Sequence, residues 1–205
     1  MERGKFIVFE GIDGSGKTTQ ARLLKERLEK DGKKVFLTVE PTHGEAGTLL
    51  RRCLTGEAEL PEYAISGLFM TDRLDHILDP KDGILSHLEK GEWVISDRYY
   101  FSSYAYNSVY SPMDWVIEIN SVARKLLRPD LVFFLDIPPE LLNERISSRG
   151  QVDRYENVEL LTVVRDNYFK AFRQFPDEKV EVLDNCGGIE ASAEKVYSLL
   201  RKRLG

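Results

Sequence analysis

The stretch KFIVFEGIDGSGKTTQ, Lys5 to Gln20, runs from an apolar segment through a loop with three glycines into a helical one. Its first part, Lys5 to Glu10, is rich in branched and aromatic residues and reads as a buried strand that stops at Gly11. From Lys17, the apolar positions Ala21, Leu23, Leu24 and Leu28 recur at helical spacing until Asp31-Gly32 supplies a stop. Between them, Gly11 to Thr18 fits the pattern GxxxxGK[ST] in the place where it has physical meaning, after a strand and opening a helix. Glycines let the chain wrap so that amide hydrogens converge on an anion, and the helix N-terminus adds its partial positive charge. Lys17 can neutralise outer phosphate oxygens, and the Thr18 hydroxyl suits a Mg²⁺ ion that bridges them. Gly11, Ile12, Asp13, Gly14, Ser15, Gly16, Lys17, Thr18 and Thr19 are therefore expected to cradle a nucleoside triphosphate. The loop alone does not choose between kinase, GTPase, ATPase motor and ligase.

Working outward, Lys34 to Val39 reads as a second strand, which makes the opening a βαβ unit with parallel strands. Glu92 to Ser96, Leu131 to Leu135 and Val180 to Leu183 continue the series, with helical patterns in the gaps. One helix is expected from Ser111-Pro112 to Leu127, one from Pro138 or Pro139 toward Ile146, one from about Asn157 to Phe175, and a last one from Ile189 to Leu204. Five strands interleaved with helices give an α/β fold, a three-layer α/β/α sandwich on a five-stranded parallel sheet of the P-loop NTPase type.

At 205 residues the chain is long enough for a real core and is expected to form one domain, 1–205. A hydrophobic content of 42% with 31% charged residues fits an ordinary globular protein rather than a disordered one. The net charge of -5 argues against a dedicated nucleic-acid surface, so any anion must be held locally. Cys53 and Cys186 stand far apart and outside any zinc pattern, which fits a reducing cytoplasm. The start MERGKFIVFEG lacks a signal-peptide core, and no stretch approaches the length of a membrane span, so a cytoplasmic protein without membrane contact is expected.

Phosphoryl transfer in this architecture needs an acidic residue at a neighbouring strand end to hold the metal or its waters. Asp97 and Asp136 both follow apolar runs at the carboxyl edge, where ligands bind in open parallel sheets. Asp136 is followed by Ile137-Pro138-Pro139-Glu140 and reads equally as a helix cap. Asp97 is the preferred metal residue with Thr18, because Arg98 follows at once and brings a cation to the same place.

Taken together, these residues resemble the thymidylate kinase family over nearly the whole chain. FEGIDGSGKTTQ is similar to its phosphate loop, Glu40-Pro41 to the EP after its second strand, and Leu68 to His76 (LFMTDRLDH) to its LFxxDRxxH helix. DRYYFSSYAY, Asp97 to Tyr106, resembles DRYxxSxxAY, and RPDLVFFLDIPPE with RISSRG and DRYE resembles the fourth strand and lid. The resemblance implies ATP as donor, Mg²⁺ as cofactor and dTMP as acceptor. It implies that Phe69 stacks on thymine, Arg73 bonds near the exocyclic edge or the phosphate, and Ser103 lies near the base. Arg98 would clamp the acceptor phosphate, Arg51 would reach it, and Glu40 and Pro41 would belong to the same wall. Asp13 would lie near the sugar hydroxyl and the transferred phosphate, and Tyr106 against the sugar face, favouring deoxyribose.

Gly14 stands where one branch of the family carries a loop arginine, so the lid, about 145–156, must supply it. Arg145 is assigned to adenine stacking, and Arg149 and Arg154 to phosphate contact. EPTHGEAGT (Glu40 to Thr48) replaces the frequent EPGGT, and Asn107 stands where many members have glutamine, so strict thymine selection does not follow from the letters. Other (deoxy)nucleoside monophosphates or a deoxynucleoside remain alternative acceptors, with a non-catalytic nucleotide switch as the reading from another class. The resemblance also implies a homodimer. The stripe Met113, Val116, Ile119, Ala123, Leu126 by itself reads as core as readily as interface.

Overall fold

The computed structural model describes residues 2–142 and 158–204. Alternation along the strands sets its layers. In β1 (Phe6–Glu10), Phe6 and Val8 join one apolar cluster while Ile7 and Phe9 join another, as a period of two requires, and all four are fully buried. A strand buried on both faces belongs at the centre of a parallel sheet. The other strands are β2 (Val35–Val39), β3 (Trp93–Asp97), β4 (Leu131–Asp136) and β5 (Val180–Asp184), all parallel in the order β2-β3-β1-β4-β5.

Nine α-helices occur among the described residues. They are α1 (Lys17–Lys30), α2 (Glu45–Leu54), α3 (Glu62–Leu78), α4 (Ile84–Glu89), α5 (Tyr100–Tyr106), α6 (Met113–Ile119), α7 (Ser121–Leu126), α8 (Val158–Gln174) and α9 (Ile189–Leu204). Helices α1 and α9 cover the Ile7 and Phe9 face through Ala21, Leu24, Leu28, Val196 and Leu200. The opposite layer buries Tyr99 to Ala105, Leu161, Val164 and Tyr168 against Phe6, Val8, Val132 and Phe134. A smaller cluster of Leu50, Cys53 and Ile65 joins α2 to α3. The expected three-layer α/β/α sandwich is the fold observed.

The sequence expectation of one helix from Ser111 to Leu127 is corrected. Helix α6 ends at Ile119 and α7 starts at Ser121, with Asn120 between them. The Asn120 side chain is fully buried; its Nδ2 donates to the Val116 carbonyl at 2.8 Å and its Oδ1 accepts from Arg73. An asparagine that bonds the preceding turn competes with the helix ladder, and here a buried cation fixes it in that pose. The helix expected from Pro138 or Pro139 is, within the described residues, a short 3₁₀ turn over Pro139–Leu142. Val116 and Ala123 of the apolar stripe are core, whereas Leu126 is largely exposed.

Candidate active site

Because every strand runs the same way, the strand ends Glu10, Val39 and Asp97 come to one edge. Phe9 and Val39 both pair with Asp97. The Arg98 N–H donates to the Phe9 carbonyl at 2.9 Å and the Glu40 N–H to the Asp97 carbonyl at 3.0 Å, so three strands deliver their following loops to one place.

The loop from Gly11 needs its glycines. Gly11 has φ 149°, and a Cβ there would lie 2.8 Å from the Leu135 carbonyl oxygen. Gly16 precedes α1 at φ 91°, a left-handed conformation that side chains resist. The Lys17 ammonium, with only 6% of the residue exposed, donates to the Ile12 carbonyl at 2.9 Å. Burial drives its pKa down and the Arg98 guanidinium pushes it further; Asp13, Asp97 and Glu10 offset this in part, leaving it at about 8. Asn185, from the loop after β5, donates its amide to the Ser15 carbonyl at 2.6 Å and braces the loop from outside.

At the start of α1, the Thr18 hydroxyl donates to Asp97 Oδ2 at 2.5 Å. The second carboxylate oxygen, Oδ1, is buried and has no hydrogen-bond partner. A buried acceptor without a donor costs free energy, and a hydrated Mg²⁺ supplies donors through its waters. A hydroxyl beside one carboxylate suits a cation that keeps most of its ligands as water and phosphate. The residues present therefore fit Mg²⁺.

Arg98 follows Asp97 with φ 76°, the single described non-glycine residue in the left-handed region. This turn aims its guanidinium at the loop, where Nη2 pairs with Asp13 Oδ1 and Nη1 donates to Ser102 Oγ at 3.1 Å. The Tyr106 hydroxyl donates to Asp13 Oδ2 at 2.7 Å, and the guanidinium carbon lies 4.8 Å from the Tyr106 ring centre. Burial alone raises the Asp13 pKa, but Arg98 and Lys17 outweigh it and hold the carboxyl below its usual range. Asp13 is thus a fixed anion that orients two groups of the opposite wall.

A cavity of about 570 Å³ opens above this edge, within the range of small-molecule sites. Its donor side is lined by Asp13, Gly14, Gly16, Lys17, Thr18 and Thr19, its far side by Phe69, Arg98, Ser103 and Tyr106, and Glu40, Pro41 and Arg51 also face it. Arg51 is held toward it by bonds from its guanidinium to the Pro41 and Thr42 carbonyls. Gly11, Ile12 and Ser15 are buried in the loop and do not line the cavity.

Arg73 does not line the cavity. It is 1% exposed and sits behind the wall, with Nε and Nη2 on Glu40 at 2.9 and 2.7 Å and Nη1 on Ser103 Oγ at 3.0 Å. Its cost of burial is offset by these two bonds to one carboxylate oxygen, Glu40 Oε2, and it fixes Ser103, which does face the cavity. Asp136 is neither cap nor metal residue here: Arg165 of α8 grips both its oxygens, at 2.6 and 2.8 Å. The lid arginines Arg145, Arg149 and Arg154 lie outside the described residues.

Several contributors escaped the sequence reading. Asp72 holds the Thr42 N–H and hydroxyl at 2.8 and 2.5 Å, which fixes the altered 42–48 loop. Asn107 was noted only as a departure, yet it lines the cavity with an unpartnered Nδ2. His76 bonds Glu40 at 3.0 Å and Thr38 at 2.8 Å. Of these, Asp72 and His76 lie in the quoted LFMTDRLDH, where an i, i+4 polar pair inside an apolar helix was the available signal. Asn120 and Asn185 carry no local signal, because their partners are 47 and 170 positions away.

A glycine loop on a helix N-terminus, at the carboxyl edge of a five-stranded parallel sheet and facing an arginine clamp across one cavity, defines a P-loop phosphotransferase with a second anionic substrate. A sequence model of thymidylate kinase matches residues 9–196. The probable thymidylate kinase of Pyrococcus horikoshii is 41% identical over 209 residues, 98% of each chain. That of Methanococcus aeolicus is 35% identical over 98% of this chain and 95% of its own, and the thymidylate kinase of Carboxydothermus hydrogenoformans is 36% identical over 89% of each. The chain belongs to the thymidylate kinase family and is an enzyme of the nucleoside monophosphate kinase class. No described helix is long and apolar enough to cross a membrane.

Proposed function

We propose that the chain, acting as one catalytic unit, transfers the γ-phosphoryl group of ATP in line to the 5′-phosphate of dTMP, giving dTDP and ADP. The observation that carries this reading is the single cavity with a triphosphate-type loop on one wall and an arginine, an aromatic ring and a tyrosine on the other. Lys17 meets the transferring phosphoryl oxygens, and Arg98 exchanges its Asp13 partner for the acceptor phosphate, which a planar fork grips at two oxygens. Thr18 and Asp97 would hold Mg²⁺, whose chemistry is to neutralise and orient phosphate oxygens. The acceptor is already an anionic oxygen, so no general base is needed; alignment and charge neutralisation do the work. Phe69 and Ser103 take the base, and Tyr106, fixed by Asp13, faces the sugar. A homodimer is part of the proposal and rests on the family resemblance alone.

The test is ADP release with dTMP, dUMP, UMP, CMP and AMP as acceptors. The expected result is turnover with dTMP well above the others; equal rates with CMP or AMP, or release of ADP that no acceptor stimulates, would sink the reading.

The pH dependence follows from Lys17. Its ammonium is a cation below about pH 8 and is progressively lost above it. Because kcat/KM reports ionisations of the free enzyme, kcat/KM for MgATP is expected to fall tenfold per unit above that pH. The limb should be absent from kcat, since bound phosphate keeps the ammonium charged.

A further inference from the structure

Glu10 ends β1 with no exposure at all, in the middle of the sheet edge, and enters above only as one of the charges beside Lys17. Its carboxylate is the meeting point of four donors: the Tyr99 N–H at 2.9 Å, the Ser102 N–H at 3.1 Å, the Ser102 hydroxyl at 2.6 Å and the Tyr168 hydroxyl at 2.8 Å. Tyr99 and Ser102 bracket the first turn of α5, where the Tyr99 N–H has no partner within the helix and the Ser102 N–H is shared between Glu10 and the Tyr99 carbonyl at 3.1 Å. No neighbouring side chain caps that turn; a strand 89 positions earlier does so.

Arg98 is the residue just before this cap, and its left-handed backbone is costly for a side chain of that kind. The conformation survives because both sides are tied down. The Arg98 N–H is bound to Phe9, its carbonyl accepts from Ser96 Oγ at 2.8 Å, and its Nη1 rests on the same Ser102 hydroxyl oxygen that Glu10 holds. Glu10 also directly precedes Gly11, the first residue of the phosphate loop. One carboxylate therefore sits between the element that binds the donor phosphates and the one that aims the guanidinium.

We infer that Glu10 is a positioning residue for the acceptor phosphate, setting the Arg98 guanidinium in register with the phosphate loop; this rests on the dTMP kinase reading. A carboxylate suits this place because both its oxygens accept, so all four groups can donate to it at once. Glutamine has the same shape, but with its oxygen on the two N–H groups its amide nitrogen faces the Ser102 and Tyr168 hydroxyls, which must turn to accept, and the Ser102 oxygen already accepts from Arg98. Tyr168 adds the fourth bond from α8, so that helix shares in the same register.

The test is a double-mutant cycle. Glu10→Gln is expected to lower kcat/KM for dTMP by about 10- to 100-fold through KM, the loss of a buried charge-assisted hydrogen bond, while KM for ATP stays within about twofold. In an Arg98→Ala background the same substitution is expected to change kcat/KM for dTMP by less than about threefold, since coupled residues do not add. If the two losses multiply, or if KM for ATP rises in parallel with KM for dTMP, Glu10 is general scaffolding and the inference is overturned. Tyr168→Phe, which deletes one donor to the same carboxylate, is run beside it and should show the same coupling at a smaller amplitude. Should Glu10→Gln not fold, this variant decides alone. The wild-type acceptor panel separates the two readings: another preferred monophosphate overturns the dTMP assignment, and the cycle is then measured on that acceptor.

Discussion

Lys17→Ala is expected to lower kcat by about 10²- to 10³-fold, the effect of removing one preorganised charge from a transition state. The reason lies in what the folded chain tolerates. The ammonium is buried, donates to Ile12 and is held at a pKa of about 8 chiefly by desolvation. A cation kept in such surroundings has little water to lose when phosphate arrives, so its field acts on the transferring group with little screening. Dissociation of dTMP, measured calorimetrically without nucleotide, is expected to stay within about threefold, because the acceptor clamp is intact. The stability consequence has the opposite sign. The folded pKa lies below the ordinary 10.5, so folding disfavours the charged form. That penalty is fully present below about pH 8 and disappears as pH rises to the unfolded value. Lys17→Met should therefore raise the melting temperature of the ligand-free protein at neutral pH while turnover collapses. A variant that turned over at near the wild-type rate would remove Lys17 from the reaction.

Arg98→Ala is expected to lower kcat/KM for dTMP by about 10²- to 10⁴-fold, the equivalent of two charge-assisted hydrogen bonds to phosphate. Two effects combine. The acceptor phosphate loses its fork, and Asp13, kept ionised by Arg98 and Lys17 against its burial, is left facing an incoming dianion with one cation fewer. Arg98→Lys should recover only a small part, because a point charge cannot grip two oxygens at once, and lysine inherits the same costly backbone. The separation of KM values decides the assignment: KM for dTMP rises steeply, and KM for ATP changes little. A uniform rise in both would show that Arg98 supports the loop instead of the acceptor.

How far the site was legible depended on how its parts are encoded. The phosphate loop was readable because its chemistry is local: Gly11 and Gly16 carry positive φ values that favour glycine, and Lys17 and Thr18 lie at fixed spacing from them. Asp97 was readable as a polar residue closing an apolar run, and the parallel sheet did bring it to Thr18. Arg73 and Asp136 show the limit. The resemblance implied a place for Arg73 near base or phosphate, and Asp136 read equally as a cap or a strand-end acid; the structure sets Arg73 on Glu40 and pairs Asp136 with Arg165. Which partner a charge takes is decided by elements remote in sequence.

The sequence by itself determined the alternation of strand and helix, the phosphate loop and the family, because each follows from spacing within a few residues. Only the tertiary structure decided which carboxylates were taken up by ion pairs and which stayed available. It also decided that Glu10, a lone charge at the end of an apolar strand, would gather donors from Tyr99, Ser102 and Tyr168. The physical reason is burial: a charge taken out of water must find its partners wherever the packed chain brings them, and a linear pattern does not contain those distances.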